Sequence, residues 1–338
     1  MTTLKVRFRP SPTDDGDAAR HTSRTVQTAC PPPPLPCRDG EGTDSFLAFA
    51  RATISHLRGI GRERLAETYT SSVNSFMRFR GGRGDVAMGE MDGGMMAAYE
   101  AYLRRTGVVA NTTSFYMRNL RAIYNRAVEC GLTADRAPFR HVYTGIGRTA
   151  KRAVPPIVIS RIKALDLPPQ SPLGQARDLF MFSFYTRGMS FIDMAYLQKK
   201  DLRDGILAYR RQKTDQQLFI KWEQPMQDII DRHPTPGSPY LLPIITATGG
   251  GRRRQYLNAI HLINSRLKVI GRRVKSPVTL STYVARHGWA SIAKSRNVPL
   301  AVISEAMGHD SESTTRIYLA TLDSTPVDEA NRQVIFSV

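Results

Sequence analysis

The sequence has little of what secreted, membrane-spanning and metal-binding proteins need. Its 338 residues include only three cysteines, Cys30, Cys37 and Cys130. That number is odd and too small for a disulfide framework, and no histidines stand at zinc-ligand spacing beside them. No run of about 18 apolar residues is present, which excludes a membrane-spanning helix. The first ten residues lack the apolar segment of a signal peptide, which argues against secretion.

Acidic residues are also scarce. The chain has 29 Asp and Glu against 48 Lys and Arg, a formal net charge of +19, and a sequence pI near 10.2. Such a balance points to a polyanionic partner, either nucleic acid or an anionic membrane surface. The few carboxylates do not cluster at the spacing that binds a divalent metal. The length suits two domains and a tail.

Composition divides the chain into four segments. Residues 1–43 are rich in proline and poor in apolar residues, which predicts a disordered or degenerate leader with at most a short strand at residues 4–8. Residues 44–147 have helical periodicity, and residues 157–338 are mixed. The linker between them, residues 148–156, carries Lys151 and Arg152 before a proline pair, and we expect it to lie along a phosphate backbone.

The first domain shows four amphipathic helices, of which the fourth is the most informative. Asn111-Thr112-Thr113 is predicted to cap a helix that runs to Cys130. Its polar side carries Arg118, Arg121 and Asn125, and arginine and asparagine make bidentate contacts to guanine and adenine in the major groove. These three are therefore candidate DNA-binding residues. The alternative is the solvated face of an ordinary bundle helix.

The second domain is predicted to be mostly helical with one β-hairpin. Two apolar runs, residues 206–209 and 218–220, flank a polar stretch, as in a hairpin. The apolar end of the chain, residues 333–338, is predicted to form a strand or to dock on a neighbour. The predicted helices cover residues 157–165, 173–185, 224–232, 254–270, 281–294, 300–307 and 312–319.

Six side chains of the second domain suit phosphoryl transfer without a metal. Two guanidiniums can hold the non-bridging oxygens of a phosphodiester under attack. A tyrosine can act as the nucleophile, a hairpin lysine can protonate the leaving 5′-oxygen, and a histidine can hydrogen-bond the phosphate. The candidate catalytic residues are Arg187, Lys213, Tyr283, Arg286, His309 and Tyr318.

The order and context of these residues resemble those of the tyrosine recombinase (phage integrase) family. The matching motifs are Thr186-Arg187-Gly188-Met189, Lys213-Thr214, Tyr283-Val284-Ala285-Arg286-His287, Met307-Gly308-His309 and Tyr318. The sequence is most similar to integrases of bacterial conjugative transposons and other mobile elements. The resemblance implies a mainly α fold with a small β-sheet: a helical SAM-like core-binding domain followed by a mixed α/β catalytic domain, clamped around duplex DNA.

The resemblance also implies a role for each residue. Arg187 and Arg286 would bind the scissile phosphate, and His309 and Tyr283 would assist. Lys213 would be the general acid, with Arg210 and Arg211 as nearby alternatives. Tyr318 would form a 3′-phosphotyrosine and release a 5′-hydroxyl. His287 would hydrogen-bond within the site or would simply be a buried histidine.

A cytoplasmic, nucleoid-associated enzyme is implied, acting without cofactor or metal in the integration or excision of a mobile element. Its partners would be double-stranded DNA with a specific recombination site and three further copies of the chain, a tetramer on two duplexes. Residues 334–338 are the candidate exchange segment between subunits. Whether an accessory factor bends the DNA stays open.

One residue departs from the family pattern. Tyr283 stands where the family usually has histidine, and a phenol with a pKa of about 10 is a poor base at neutral pH. The alternative interpretations are a catalytically inactive, sequence-specific DNA-binding protein derived from a recombinase and a relaxing enzyme similar to type IB topoisomerases. A general basic RNA-binding protein is a more distant alternative.

Overall fold

The computed structural model describes residues 44–81, 84–147, 153–246, 251–309, 311–319 and 335. The predicted leader, Lys151 and Arg152 of the linker, and residues 333, 334 and 336–338 of the predicted tail segment lie outside the described residues. The chain divides into two compact units, Met1–Arg148 and Thr149–Val338.

The first unit is a helical bundle. Its helices are α1 (Phe46–Gly59), α2 (Glu63–Arg80), α3 (Gly93–Arg105) and α4 (Ala110–Glu129). Ser45 caps α1 through its hydroxyl and Asp92 caps α3 through its carboxylate, each accepting a backbone N–H of the first turn. These caps satisfy donors that a helix N-terminus leaves free.

Aromatic rings fill the core of this unit. Phe76 of α2 meets Phe46 of α1 and Tyr99 of α3 edge to face, with ring centroids 5.9 and 5.3 Å apart. All three rings are fully buried. The Tyr99 hydroxyl donates to the hydroxyl of Ser75 at 2.8 Å, so the one polar atom of the cluster is paired. These contacts join α1, α2 and α3 in one core.

The predicted cap of α4 is wrong. The N-cap is Val109, and Asn111 lies in the first turn of the helix. Instead of capping, the Asn111 side chain exchanges two hydrogen bonds with the backbone of Gly147, at 3.0 and 2.7 Å. An amide has both a donor and an acceptor, so it binds both backbone groups of one residue. Asn111 thus fixes the last described stretch of the first unit to the start of α4.

The second unit contains eight α-helices and three short strands among its described residues. The helices predicted at residues 224–232, 300–307 and 312–319 are confirmed residue for residue, and the other four within three residues at each end. A six-residue helix and a two-residue strand were not predicted. The elements are α5 (Pro156–Lys163), α6 (Pro172–Tyr185), α7 (Phe191–Tyr196), β1 (Leu202–Arg203), β2 (Ile206–Arg210), β3 (Gln217–Lys221), α8 (Gln224–Arg232), α9 (Arg252–Arg273), α10 (Thr282–Ser295), α11 (Leu300–Met307) and α12 (Glu312–Leu319).

Helix α6 is the centre of the second unit. It packs against α5, α8, α9 and α10, and every residue from Ala176 to Ser183 is buried. A helix that is buried on all sides belongs in a core. The Asp178 carboxylate within it accepts from Arg177 and lies 2.9 Å from His233 Nε2, so its buried charge is compensated.

The three strands form an antiparallel sheet in the order β1-β2-β3. The predicted hairpin is confirmed, with Leu207 opposite Ile220 and Tyr209 opposite Leu218. Leu207, Tyr209, Leu218 and Ile220 face the core. The turn is closed by a hydrogen bond from the Arg211 amide to the carbonyl of Gln216 at 3.0 Å. The predicted fold class, mainly α with a small sheet, is confirmed.

No helix in the described ranges is both long and apolar enough to cross a bilayer. Within the same ranges, no group of three or more His, Cys, Asp and Glu side chains could hold a metal ion.

Candidate active site

Arg286 connects three separate segments of the second unit. It projects from α10 and is 6% exposed. Its Nη1 donates to the carbonyl of Gly188 at 2.8 Å, and its Nη2 donates to the carbonyl of Met307 at 2.6 Å. Nη2 also lies 3.2 Å from Nε2 of His309. A single guanidinium therefore joins the segment that follows α6 to the end of α11.

Gly188 allows this close approach. Its φ is +74°, and a Cβ at this position would lie 2.7 Å from the Cα of Arg286, so only glycine fits. The preceding residue, Arg187, also has a positive φ, of 59°. A non-glycine residue in this region is strained, and such strain concentrates at functional sites. The turn places the first predicted arginine directly beside the backbone that contacts the second.

Arg187 is half-buried. Among the residues that the structure describes, none forms a hydrogen bond or an ion pair with its side chain. Burial raises the pKa of the nearby Tyr209 phenol, and the positive charges of Arg286, Arg211 and Arg187 oppose that rise. Three guanidiniums therefore surround one buried ring. The two predicted arginines therefore lie near the same phenol, and Arg211, which was not among the predicted catalytic residues, lies near it as well.

His309 follows α11 and has a defined tautomer. Its Nε2 faces Arg286 Nη2, which can only donate, so Nε2 accepts. The ring proton is therefore on Nδ1, which donates to the hydroxyl of Thr315 at 2.6 Å. Thr315 is fully buried in α12. Burial and the charges of Arg286, Arg211 and Lys213 lower the pKa of His309 to about 4, so the imidazole is neutral at pH 7.

We predict that His309 titrates near pH 4 in the folded protein. In the unfolded chain it should titrate near its ordinary value of about 6.5. Because the folded pKa is the lower one, the unfolded chain takes up the proton first as the pH falls. The stabilisation from neutral His309 is complete above about pH 6.5 and is lost between about pH 6.5 and 4. NMR titration of the ring and urea unfolding against His309→Gln check this; a midpoint near 6.5 in the folded state would contradict it.

Lys213 lies in the turn between β2 and β3 and is exposed. Its charge acts on His309, which places it near the imidazole. Gly308 lies between the turn and the histidine: a Cβ there would meet Arg211, Leu218 and Gln216 of the hairpin within 3.1 Å. The hairpin therefore packs directly beside His309.

Tyr283 lies one turn before Arg286 on α10 and is 52% exposed. Its ring stands edge to face against His287, with centroids 4.5 Å apart at 89°. His287 is buried. These two aromatic residues form a contiguous pair on the helix, with the phenol on the solvent side and the imidazole beneath it.

Tyr318 lies in α12. Thr315, three residues earlier in the same helix, contacts His309. The helix that carries the predicted nucleophile is therefore tied to the histidine of the site.

The predicted DNA-binding residues divide into two groups. Arg118, Arg121 and Asn125 are all exposed on α4, and their spacing puts them along one stripe of the helix. Their neighbour Asn119 points the other way, since its side chain donates to Ser72 of α2 at 3.0 Å. Lys151 and Arg152 lie outside the described residues.

Arg211 belongs to the site, although the sequence offers it only as an alternative to Lys213. Asp193 also belongs to the site but was not predicted. Arg211 continues the inward alternation of Leu207 and Tyr209 along β2, and all three are buried. That period of two was the available signal. Asp193 lies in the first turn of α7, three residues after the N-cap Ser190. A carboxylate that close to a cap gives no hint in the sequence of a distant partner.

Comparison with known proteins finds similarity to integrases and recombinases. A model of the phage integrase SAM-like domain matches residues 45–142. No curated protein has a sequence that matches the chain significantly. The structure is similar to a lambda integrase dimer bound to a COC′ core site, with TM-score 0.60 and 13% identity over 80% of this chain and 97% of that chain.

Two further solved structures are similar. One is a Tn1549 transposon integrase in complex with transposon right end DNA, with TM-score 0.56 and 13% identity over 86% of this chain and 98% of that chain. The other is XerH site-specific recombinase bound to palindromic difH substrate in a post-cleavage complex, with TM-score 0.58, 15% identity, and coverage of 79% and 78%.

The chain has the fold of these integrase and recombinase structures. Residues 45–142 are a phage integrase SAM-like domain, and the resemblance that the sequence motifs predicted is confirmed at the level of this domain and of the fold.

Proposed function

We propose that the protein is a site-specific DNA recombinase that cuts and rejoins strands through a 3′-phosphotyrosine intermediate, in the integration or excision of a mobile element. The observation that carries the proposal is the junction at Arg286, which joins the segment of Arg187 to His309 in one place. Lys213 lies in the hairpin turn beside Arg211, which contacts Gly308, and Tyr318 lies on α12, whose Thr315 contacts His309.

The reaction follows from the chemistry of these groups. The Tyr318 hydroxyl oxygen would attack the phosphorus, and the bond from phosphorus to the 5′-oxygen would break. Arg187 and Arg286 would balance the charge that gathers on the non-bridging oxygens. Lys213 would give its proton to the leaving 5′-oxygen. A free 5′-hydroxyl of the partner strand would then attack the phosphotyrosine and release Tyr318.

The pKa of His309 would rise when DNA binds. Surrounded by Arg286, Arg211 and Lys213, it is neutral and a weak base in the free protein. A phosphate between these cations would offset their field and raise the pKa of His309, since a nearby opposite charge favours the charged form. The bound substrate would thus create the base that helps Tyr318 lose its proton. Tyr283, exposed one turn away from Arg286, would donate a hydrogen bond to a phosphate oxygen.

The partner would be double-stranded DNA, contacted by a protein of charge +19, and strand exchange would take four copies of the chain on two duplexes. Each phosphate that the protein neutralises adds about −0.9 to the slope of log affinity against log salt. We expect α4 to enter the major groove with Arg118, Arg121 and Asn125.

The test is capture of the covalent intermediate. Duplex fragments that the protein binds are selected, one is rebuilt with a nick beside the cleavage position, and adducts are resolved under denaturing conditions. An adduct mapped by mass spectrometry to Tyr318 supports the proposal. Tight, specific binding with no adduct would support the inactive DNA-binding protein, for which Tyr283 in place of histidine is the favouring observation. Relaxation of plasmids that lack the selected sequence would favour the topoisomerase-like alternative.

Removing the exposed cations of α4 is predicted to weaken DNA binding selectively. The double variant Arg118→Ala with Arg121→Ala should lose at least about 10-fold in affinity, since one good base contact is worth about 1–3 kcal/mol. The matched control is Arg64→Ala with Arg104→Ala, two arginines that are 80% and 81% exposed on α2 and α3. Fluorescence anisotropy at fixed salt measures both. Equal losses in the two double variants would mean that only net charge matters.

A further inference from the structure

The β-hairpin reaches the histidine segment through one buried arginine. Arg211, the first residue after β2, is 7% exposed. Its Nη1 donates to the carbonyl of Gly308. Its Cδ packs against the same residue, because a Cβ on Gly308 would lie 2.7 Å from it. The contact is therefore both a hydrogen bond and a close van der Waals fit.

The other side of Arg211 faces a fixed carboxylate. Asp193 Oδ2 lies 3.9 Å from Arg211 Nε, and Asp193 is 4% exposed. The same oxygen accepts from the Ser190 hydroxyl at 2.6 Å, and Oδ1 accepts from the amide of Gln212 at 2.9 Å. The carboxylate is thus held by the first turn of α7 and by the hairpin backbone. It supplies the opposite charge that a buried guanidinium needs.

The peptide that joins Gly308 to His309 is held at both ends. Its carbonyl accepts from Arg211, and its N–H donates to the carbonyl of Ser304 at 3.0 Å. A peptide unit is planar, so fixing both of its polar groups fixes its rotation. The Cα of His309 is then set, and the side chain can reach Arg286 and Thr315 together.

We propose that Arg211 is a positioning residue of the recombinase site. Asp193 holds the Arg211 side chain in place, and Arg211 in turn holds the Gly308–His309 peptide, so that the imidazole points at Arg286. This inference rests on the proposed function for its effect on cleavage. Its effect on His309 is a property of the protein without DNA. A lysine at residue 211 would keep the charge but would hold one partner instead of two, since an ammonium lacks the planar fork of a guanidinium.

The electrostatics agree with this geometry. The charged groups that act on His309 are Arg286 from α10 and Arg211 and Lys213 from the hairpin. The contact from α12 is the uncharged hydroxyl of Thr315. Removing the charge of Arg211 should therefore raise the pKa of His309, whereas a lysine in its place should keep it low.

The experiment compares Arg211→Gln and Arg211→Lys with Arg203→Gln as the matched control. Arg203 lies on β1 of the same sheet and is exposed. Two measurements are made: NMR of the His309 ring in the full-length protein without DNA, and the single-turnover rate of adduct formation on the nicked duplex at saturating protein. Thermal unfolding of each variant shows whether it is folded.

We expect Arg211→Gln to raise the pKa of His309 and to lower the cleavage rate about 100-fold, because a displacement of about 1 Å in a catalytic group costs about that much. Arg211→Lys should keep the low pKa yet still cleave at least about 10-fold more slowly, and Arg203→Gln should match the wild type in both. Should Arg211→Gln not fold, Arg211→Lys carries the test.

A folded Arg211 variant with the wild-type rate and an unchanged His309 resonance would overturn the inference. If the wild type itself forms no adduct, the proposed function fails. The NMR comparison then still decides whether Arg211 positions His309, so the two failures are distinguishable.

Discussion

Tyr318→Phe is expected to lose the covalent protein–DNA adduct entirely while binding the same duplex with nearly unchanged affinity. The substitution removes one oxygen, the atom that would become esterified to the 3′-phosphate. The change is to a single residue of α12, whose buried Thr315 still contacts His309. We therefore expect the free energy of binding to change by less than about 0.5 kcal/mol.

The measurement is denaturing gel electrophoresis of the reaction on the nicked duplex, with anisotropy for affinity. Tyr185→Phe is the matched control, since it removes the same atom from a half-buried tyrosine at the end of α6. It should form adduct as the wild type does. Adduct at the wild-type yield in Tyr318→Phe would assign the nucleophile to another residue.

Arg286→Lys is expected to lower the cleavage rate about 100- to 1000-fold, the range found when one preorganised donor is removed from a transition state. A lysine ammonium cannot hold the carbonyls of Gly188 and Met307 and also face His309, as the guanidinium does. A buried carbonyl left without its donor costs about 1–3 kcal/mol. The variant should therefore also unfold at lower denaturant concentration.

Single-turnover cleavage and urea unfolding measure these two losses. Arg296→Lys, at the exposed C-terminal end of the same helix, makes the same chemical change away from the site and should alter neither. DNA affinity should be retained in both variants, because Arg286 is one of many cations. A wild-type cleavage rate in Arg286→Lys would remove Arg286 from the reaction.

Apolar periodicity was enough to predict most of the elements. Helices α8, α11 and α12 have the predicted bounds because their apolar positions recur at helical spacing between clear breaks. Helix α7 and strand β1 were missed because elements of six and two residues are too short to show a period. The cap of α4 was misplaced because Asn111 found a tertiary partner, the backbone of Gly147, that competes with local capping.

The candidate site was only partly predictable. Arg187, Lys213, Arg286, His309 and Tyr318 follow one another in the order of a known family, and that order identified them. Arg211 gave no comparable signal, since its carbonyl partner Gly308 is 97 residues away in the chain. Whether a guanidinium is buried depends on partners that only the folded chain brings together.

Two glycines, Gly188 and Gly308, limit how far the sequence of this site can change. At Gly188 a single methyl group would collide with the backbone of Arg286, and at Gly308 it would collide with Arg211. Both glycines also have positive φ. Gly188→Ala would therefore displace Arg286, and Gly308→Ala would displace Arg211, although neither substitution alters a charged group. Under the proposed function, directed evolution toward new DNA targets should therefore vary exposed residues such as Arg118 on α4 and keep both glycines.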